Sequence, residues 1–149
     1  MKIFRSRLFL LFHFLIFSCD SPYDHSGWDT SKVQIVRDEF GVPHIFGQTD
    51  PDVAYGLAWA HAEDDFETIQ KTLLAGKRML GRVYGQDGAA VDFFGHLLQT
   101  VEIAEAKYES AYSEEFKAVL EAYAAGMNDF ALAHPEEVLF EKAFPVNTK

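Results

Sequence analysis

The chain of 149 residues has a single cysteine and few basic side chains. With one cysteine, no disulfide can form within the chain. Lys and Arg together number 13, Asp and Glu number 23, and the formal net charge is -10. Nucleic-acid binding depends on clustered Lys and Arg, so no nucleic-acid partner is predicted.

The sequence also lacks the common signatures of catalytic sites. The glycines from Gly81 to Gly88 fit neither a phosphate-binding loop nor a dinucleotide-binding turn. No Gly-x-Ser-x-Gly sequence places a serine nucleophile on a sharp turn. The 48% of hydrophobic residues are typical of a globular domain, but composition and motifs leave its activity open.

The apolar run over residues 8–17 is too short to span a bilayer comfortably. It follows a basic N-terminus and is followed by a small residue, Ser18. This arrangement predicts a secretory signal peptide over residues 1–18. The alternative is an N-terminal anchor helix that is never cleaved.

Cys19 ends the sequence LIFSC, which resembles the lipobox of bacterial lipoproteins. The usual pattern has Leu in place of Ile16 and Gly or Ala in place of Ser18. We therefore expect Cys19 to be lipidated and residues 19–32 to form a flexible tether. The expected location is the periplasmic side of a membrane, to which the exported protein is anchored. The alternative is an ordinary cysteine that is lost with the signal peptide.

Residues 33–149 carry the patterns of a folded domain. The alternation at Val33 and Ile35 predicts a half-buried strand. Gly41 and Pro43 then turn the chain into a second extended run that reaches residue 47. The sequence leaves open whether this pair is a hairpin or two kinked strands.

Three helical patterns follow the strand pair. The first predicted helix starts at Pro51, with Asp50 as its N-cap, and its small residues predict close packing. The glycine-rich stretch 81–90 is predicted to be a loop, and a second helix is predicted for residues 91–112. Ser113 is expected to cap a third, amphipathic helix that ends near residue 134.

Side chains that could perform chemistry are few. His61 and Asp65 lie four residues apart on the first predicted helix and so share a face. Such a pair can bind a metal or perform acid–base work, but two ligands do not make a site. The favoured interpretation is a charged helix face that pairs with Arg37 or Arg78.

The other histidines are given no catalytic role. His44 follows a proline in a strand predicted to be buried, where a hydrogen-bonded histidine is the usual case. His96 and His134 lie beside a helix and at a helix end. No catalytic residue and no metal ligand are therefore predicted in this chain.

Three ordered stretches resemble the penicillin acylase family. Residues 36–45 read VRDEFGVPHI, residues 55–65 read YGLAWAHAEDD and precede Gln70, and residues 122–128 read AYAAGMN. The resemblance extends over about residues 33–145. Many family members have Arg where Asp65 stands here, so details of specificity do not carry over.

The resemblance implies an α-rich α+β chain, the helical layer of an N-terminal-nucleophile hydrolase with an αββα fold. In the family one precursor is cut into α and β chains, and the first serine of the β chain hydrolyses linear amides. Ser31, Ser110 and Ser113 stand in the wrong context for that serine. The family's calcium ligands also lie in parts that this chain lacks, so no cofactor is expected in it.

The resulting hypothesis is that residues 33–149 are a truncated N-terminal part of an acylase α-chain region, inactive alone. The expected partner is the β-chain region of the same precursor, and the substrates would be β-lactams, acyl-homoserine lactones or lipopeptides. The alternative is a non-catalytic lipoprotein that serves as a binding or scaffold module. A weaker hypothesis is metal binding at His61 and Asp65.

Overall fold

The computed structural model describes residues 24–148, so the predicted signal peptide and Cys19 lie outside the described residues. The regular elements are β1 (Val33–Arg37), β2 (Pro43–Gly47), α1 (Asp50–Gly76), α2 (Gly81–Leu97), α3 (Thr100–Ala111) and α4 (Glu114–Ala133). Short 3-10 turns occupy Thr30–Lys32, Pro135–Glu137 and Glu141–Ala143. The helix-rich α+β fold is confirmed, with four helices in the described part where three were predicted.

The two strands form an antiparallel hairpin, which resolves the choice that the sequence left open. Ile35 pairs with Ile45, and Val33 pairs with Gly47. The turn needs Gly41, whose φ of 81° lies in the left-handed region. The hairpin's inner face lies directly on Gly56 of α1, where a Cβ atom would be 2.7 Å from Val33 Cγ1.

Helix α1 begins with a capping box, and its N-cap is Thr49 rather than the predicted Asp50. The Thr49 side chain accepts a hydrogen bond from the Asp52 amide, and the Asp52 carboxylate accepts one from the Thr49 amide. Pro51 lies in the first helical turn, as predicted. The reciprocal bonds satisfy two amides, whereas Asp50 as N-cap would satisfy one.

The first half of α1 packs closely against α4, as its small residues predicted. Ala58 and Ala62 are buried in the main core beside Met127 and Phe130 of α4. Gly126 lies at the crossing, where a Cβ atom would come within 2.5 Å of the Tyr55 carbonyl oxygen. The absence of a side chain at Gly126 therefore sets the distance between the two helices.

Helix α1 breaks at Asp65, whose φ of -160° and ψ of 70° are not helical. The Asp65 carboxylate accepts a hydrogen bond from the Thr68 amide at 3.1 Å and so restarts the helix. The helix then ends at Gly76.

The prediction of a loop over residues 81–90 is wrong, because this stretch forms the first part of α2. The Asp92 carboxylate accepts hydrogen bonds from the Leu80 and Gly81 amides at 2.9 and 2.8 Å. A bend at Gly85, with a φ of 61°, lets the chain fold back on itself. At Gly88 a Cβ atom would lie 2.5 Å from the Leu80 carbonyl oxygen. The glycines thus permit close packing of helical turns.

The single helix predicted for residues 91–112 is two helices. Helix α2 ends at Leu97, and Gln99 adopts the left-handed conformation before α3 begins. By contrast, the predicted cap of α4 is confirmed, since the Ser113 side chain accepts a hydrogen bond from the Phe116 amide. Helix α4 ends at Ala133, next to the predicted limit.

Residues 25–28 lie against the folded body, so this part of the predicted tether over residues 19–32 is packed on the domain. The Ser26 amide donates a hydrogen bond to the Asp129 carboxylate at 2.8 Å. The Trp28 ring stacks on Tyr55 with 5.6 Å between centroids and 9° between planes. A docked aromatic ring and a buried carboxylate fix the segment on α1 and α4.

Candidate functional site

The VRDEFGVPHI motif builds the hairpin turn. The Asp38 carboxylate accepts hydrogen bonds from the Phe40 and Val42 amides, both at 2.9 Å. The backbone hydrogen bond from Val42 is the main cause of a lowered Asp38 pKa. His44 lies 3.3 Å from the same carboxylate and is exposed. The prediction that His44 occupies a buried strand is therefore wrong, because the hairpin's outer face is open.

Arg37 links this turn to helix α1. Its guanidinium donates a hydrogen bond to the Gly41 carbonyl oxygen at 2.9 Å. It also lies 3.0 Å from a Glu63 oxygen and 2.8 Å from an Asp64 oxygen. The charged helix face paired with Arg37 is thus confirmed. Arg78 instead pairs with Glu102 at 2.9 Å.

His61 and Asp65 have separate partners. His61 Nδ1 lies 3.1 Å from the Tyr123 hydroxyl oxygen, and the two rings meet edge to face. Asp65 caps the second half of α1 through Thr68. The structure therefore gives no support to the hypothesis of a metal or acid–base pair at these two residues.

A buried carboxylate joins the N-terminal segment to both main helices. Asp129 of α4 accepts hydrogen bonds from Ser26 and from the Tyr55 hydroxyl at 2.9 Å, and His25 Nδ1 lies 3.4 Å away. Burial raises the Asp129 pKa, but the donors from Ser26 and Tyr55 outweigh it, so the pKa is lowered. Burial, together with Asp129, raises the Tyr55 pKa.

The sequence did not predict this cluster around Asp129. Its serine and histidine do not form a nucleophile activated by a general base. The Ser26 hydroxyl donates to Asp129 rather than to a histidine nitrogen. His25 contacts the same carboxylate instead of the serine. A triad needs the histidine between serine and aspartate, so this arrangement can position a segment but cannot activate the hydroxyl.

His134, for which the sequence predicted no role, lies beside two carboxylates at the end of α4. Its ring stacks on Phe130 with 4.3 Å between centroids. Its Nδ1 atom lies 3.7 Å from a Glu136 oxygen and 3.8 Å from a Glu137 oxygen. The run His-Pro-Glu-Glu was the available signal, since a tight turn after a helix brings such residues together.

An apolar surface runs along α2 and is exposed to solvent. Phe93, Phe94, Leu97 and Leu98 are each between 59% and 63% exposed. A groove beside them is lined mainly by apolar side chains of α1, α2 and α3. Exposed apolar patches of this kind mark interaction surfaces.

The outer face of the hairpin is a second apolar surface. Phe40 at the turn is 84% exposed, and Val42, Phe46 and Val36 are also exposed. The inner face of the same hairpin is packed on α1. The hairpin therefore lies between α1 on one side and open solvent on the other.

Within residues 24–148, every helix is too short or too polar to cross a bilayer. His134, Glu136 and Glu137 form the one group of three side chains there that could hold a metal ion together. His96 is exposed and takes no part in that group.

Known proteins resemble this chain over most of its described length. Acyl-homoserine lactone acylase PvdQ from Pseudomonas syringae pv. syringae is 27% identical over 110 residues, which cover 68% of this chain and 14% of that protein. Penicillin acylase 2 proenzyme from Pseudomonas sp. strain SE83 is 30% identical over 104 residues, 68% of this chain and 13% of the proenzyme. Penicillin G acylase from Escherichia coli is 28% identical over 113 residues, which cover 74% of this chain and 13% of that protein.

A solved structure shows the same fold. The thermostable penicillin G acylase from Alcaligenes faecalis superposes with a TM-score of 0.57 at 22% identity. The match covers 70% of this chain and 55% of that chain. The chain spans about one seventh of the length of the relatives it matches. The sequence pattern named Penicillin amidase matches residues 32–147. The chain therefore belongs to the penicillin amidase family.

Proposed function

We propose that this chain is the N-terminal part of the α-chain region of an acylase that hydrolyses linear amide bonds. Its substrates would be β-lactams, acyl-homoserine lactones or lipopeptides, and the first two classes are those that the relatives' names give. The chain contributes a structural layer and needs the β-chain region of the same precursor, which supplies the nucleophilic serine in the family. Alone, the chain is inactive.

The exposed apolar surface of α2 carries this proposal. Its four large side chains, Phe93, Phe94, Leu97 and Leu98, are more than half exposed. Burying one such side chain stabilises a protein by about 1.5–3 kcal/mol. Because these side chains are already partly buried, a covering chain segment would gain only part of that figure at each of the four. The acylase relatives are about seven times longer than the match, so such a segment is available in them.

The packed half of the molecule supports a structural role. Gly56 and Gly126 bring the hairpin and α4 into direct contact with α1. Arg37 then fastens the turn to the acidic group on α1. These family motifs are occupied by interactions within the chain, so they hold a platform on which catalytic residues from elsewhere can be positioned.

We also propose that the protein is exported and anchored through lipidated Cys19. Only five residues separate Cys19 from His25, where the described segment contacts Asp129. The lipid would then hold the folded body close to the membrane surface. Replacing Cys19 with Ser should move the protein from the membrane fraction to the soluble fraction, whereas unchanged fractionation would contradict the anchor.

The experiment is a comparison of hydrolysis by the chain alone and by the chain co-expressed with the coding region downstream of it. We expect no release of acid from penicillin G or an acyl-homoserine lactone by the chain alone, and measurable release by the pair. Hydrolysis by the chain alone would overturn the proposal. A stable monomer that the downstream region does not bind would favour the scaffold module.

A further inference from the structure

We propose that His134, Glu136 and Glu137 form a binding site for a divalent transition metal such as zinc. The three residues lie where α4 ends and the chain turns through Pro135–Glu137. Among residues 24–148 they are the group whose ligand atoms converge, one atom from each lying within 4.8 Å of the other two. None of the three residues lines the groove beside the apolar surface of α2, and the site does not depend on the acylase proposal.

The separations leave room for an ion. Three points no more than 4.8 Å apart all lie within about 2.8 Å of a common centre, and zinc bonds to nitrogen and carboxylate oxygen measure roughly 2.0–2.2 Å. Side-chain rotations that bring each ligand atom less than about 1 Å closer to that centre would give the lengths of zinc bonds. The gaps of 3.7 and 3.8 Å from His134 Nδ1 to the two carboxylates exceed hydrogen-bond length.

Two of the three ligands are held by the core. The His134 ring stacks on Phe130 and meets Trp59 edge on, and its amide donates to the Phe130 carbonyl oxygen at 2.9 Å. The Glu137 carbonyl oxygen accepts a hydrogen bond at 2.9 Å from Gln70, whose side chain is buried. Fixed backbone positions lower the entropy that metal binding must overcome.

The donor set selects the class of ion. One imidazole and two carboxylates suit zinc and similar first-row metals, whereas Ca²⁺ takes six to eight oxygen ligands. All three side chains are at least partly exposed, so water can complete the coordination. The bound ion would join the end of α4 to the following segment, which Gln70 also holds through Glu137 and Leu139.

The test titrates the purified full chain with zinc chloride alone and with cobalt chloride. A Cys19→Ser background removes the only thiol as a competing ligand. We expect saturable binding of one zinc ion per chain and visible absorption bands from bound Co²⁺. His134→Phe, which keeps an aromatic ring on Phe130, and Glu137→Gln should each weaken zinc binding at least tenfold.

Glu141→Gln is the matched control, because Glu141 is an exposed glutamate in the next 3-10 turn. Its affinity for zinc should equal that of the parent chain. Circular dichroism of each variant shows whether the fold is retained. Equal zinc affinity in the parent and the His134→Phe variant, or no saturable binding by the parent, would overturn the proposal and leave a surface ion pair.

Discussion

Gly126 controls how closely α1 and α4 approach each other. A methyl group there would lie 2.5 Å from the Tyr55 carbonyl oxygen and 2.9 Å from Ala58 Cβ. Neither neighbour can move without shifting α1, because one is backbone and the other is attached to it. We therefore expect Gly126→Ala to lower the free energy of unfolding by about 1–3 kcal/mol.

The measurement is urea unfolding followed by circular dichroism. Gly76→Ala is the control, because a Cβ atom at Gly76 would have nothing within 4 Å. That substitution should be neutral or stabilise by up to about 1 kcal/mol through the unfolded state. Equal effects at the two glycines would contradict the packing argument.

Asp129 makes the free energy of unfolding depend on pH in the acid range. Its carboxylate accepts hydrogen bonds from Ser26 and Tyr55, which hold its pKa below the ordinary value despite burial. The folded pKa thus lies below that of the unfolded chain, about 3.9. The stabilisation is complete above that value and is lost as the pH falls through the folded pKa.

We expect Asp129→Asn to flatten the fall in unfolding free energy between about pH 5 and about pH 2. Urea unfolding at several pH values measures this slope. The exposed Asp87 provides the control, since Asp87→Asn should leave the slope unchanged. An unaltered slope in Asp129→Asn would show that the buried carboxylate contributes no pH-dependent stability.

Local partners were predictable from the sequence, and distant ones were not. The pairing of Arg37 with the acidic group on α1 was predicted, because charge and proximity in a strand–helix unit suggest it. The contact of Ser26 with Asp129 joins residues 103 positions apart. Only the folding of α4 back onto α1 brings these two residues together, and no local sequence pattern predicts that contact.

At the scale of elements, α2 shows how packing overrides propensity. Glycine lowers helix propensity by about 1 kcal/mol per residue relative to alanine, so the stretch 81–90 was predicted as a loop. The structure uses Gly81 and Gly88 for close contact and Gly85 for a bend. The turn between the strands, in contrast, followed from Gly41 and Pro43, whose backbone preferences act locally, while the antiparallel pairing of the two strands was left open.

Asp92 provides a test of this element. Its carboxylate accepts two amide hydrogen bonds from the start of α2, at Leu80 and Gly81. Asp92→Ala should cost about 0.5–2 kcal/mol, as for the loss of a helix cap. Urea unfolding measures the cost, and Asp87→Ala on the same helix is the control.

A cost no larger than the control's would contradict a stabilising role for the two hydrogen bonds that Asp92 accepts. Hydrogen exchange gives a second readout, because the Leu80 and Gly81 amides should lose protection in the variant. Unchanged protection there would mean that other contacts hold the bend.

At the scale of the molecule, the apolar surface of α2 should drive association. Phe94 and Leu98 are 59% and 63% exposed. We expect the purified chain to associate with rising concentration in sedimentation velocity runs. The double substitution Phe94→Glu and Leu98→Glu should shift the chain towards monomer without lowering its unfolding temperature, because neither side chain is in the core.

The control carries the same added charge on the same helix, through Gln86→Glu and Ala90→Glu at exposed positions. This variant should associate like the parent. Equal suppression by both pairs would attribute the effect to net charge rather than to the apolar surface. A parent chain that stays monomeric at all concentrations would contradict the need for a partner.

The most direct test of the central proposal is to sequence the gene beyond codon 149. The proposal predicts an in-frame continuation that completes the α-chain region and then encodes a β-chain region, beginning with a serine preceded by a small residue. A stop codon with no acylase-like coding region nearby would contradict it. The family fold would then serve a non-catalytic protein, and the proposed amide hydrolysis would be wrong.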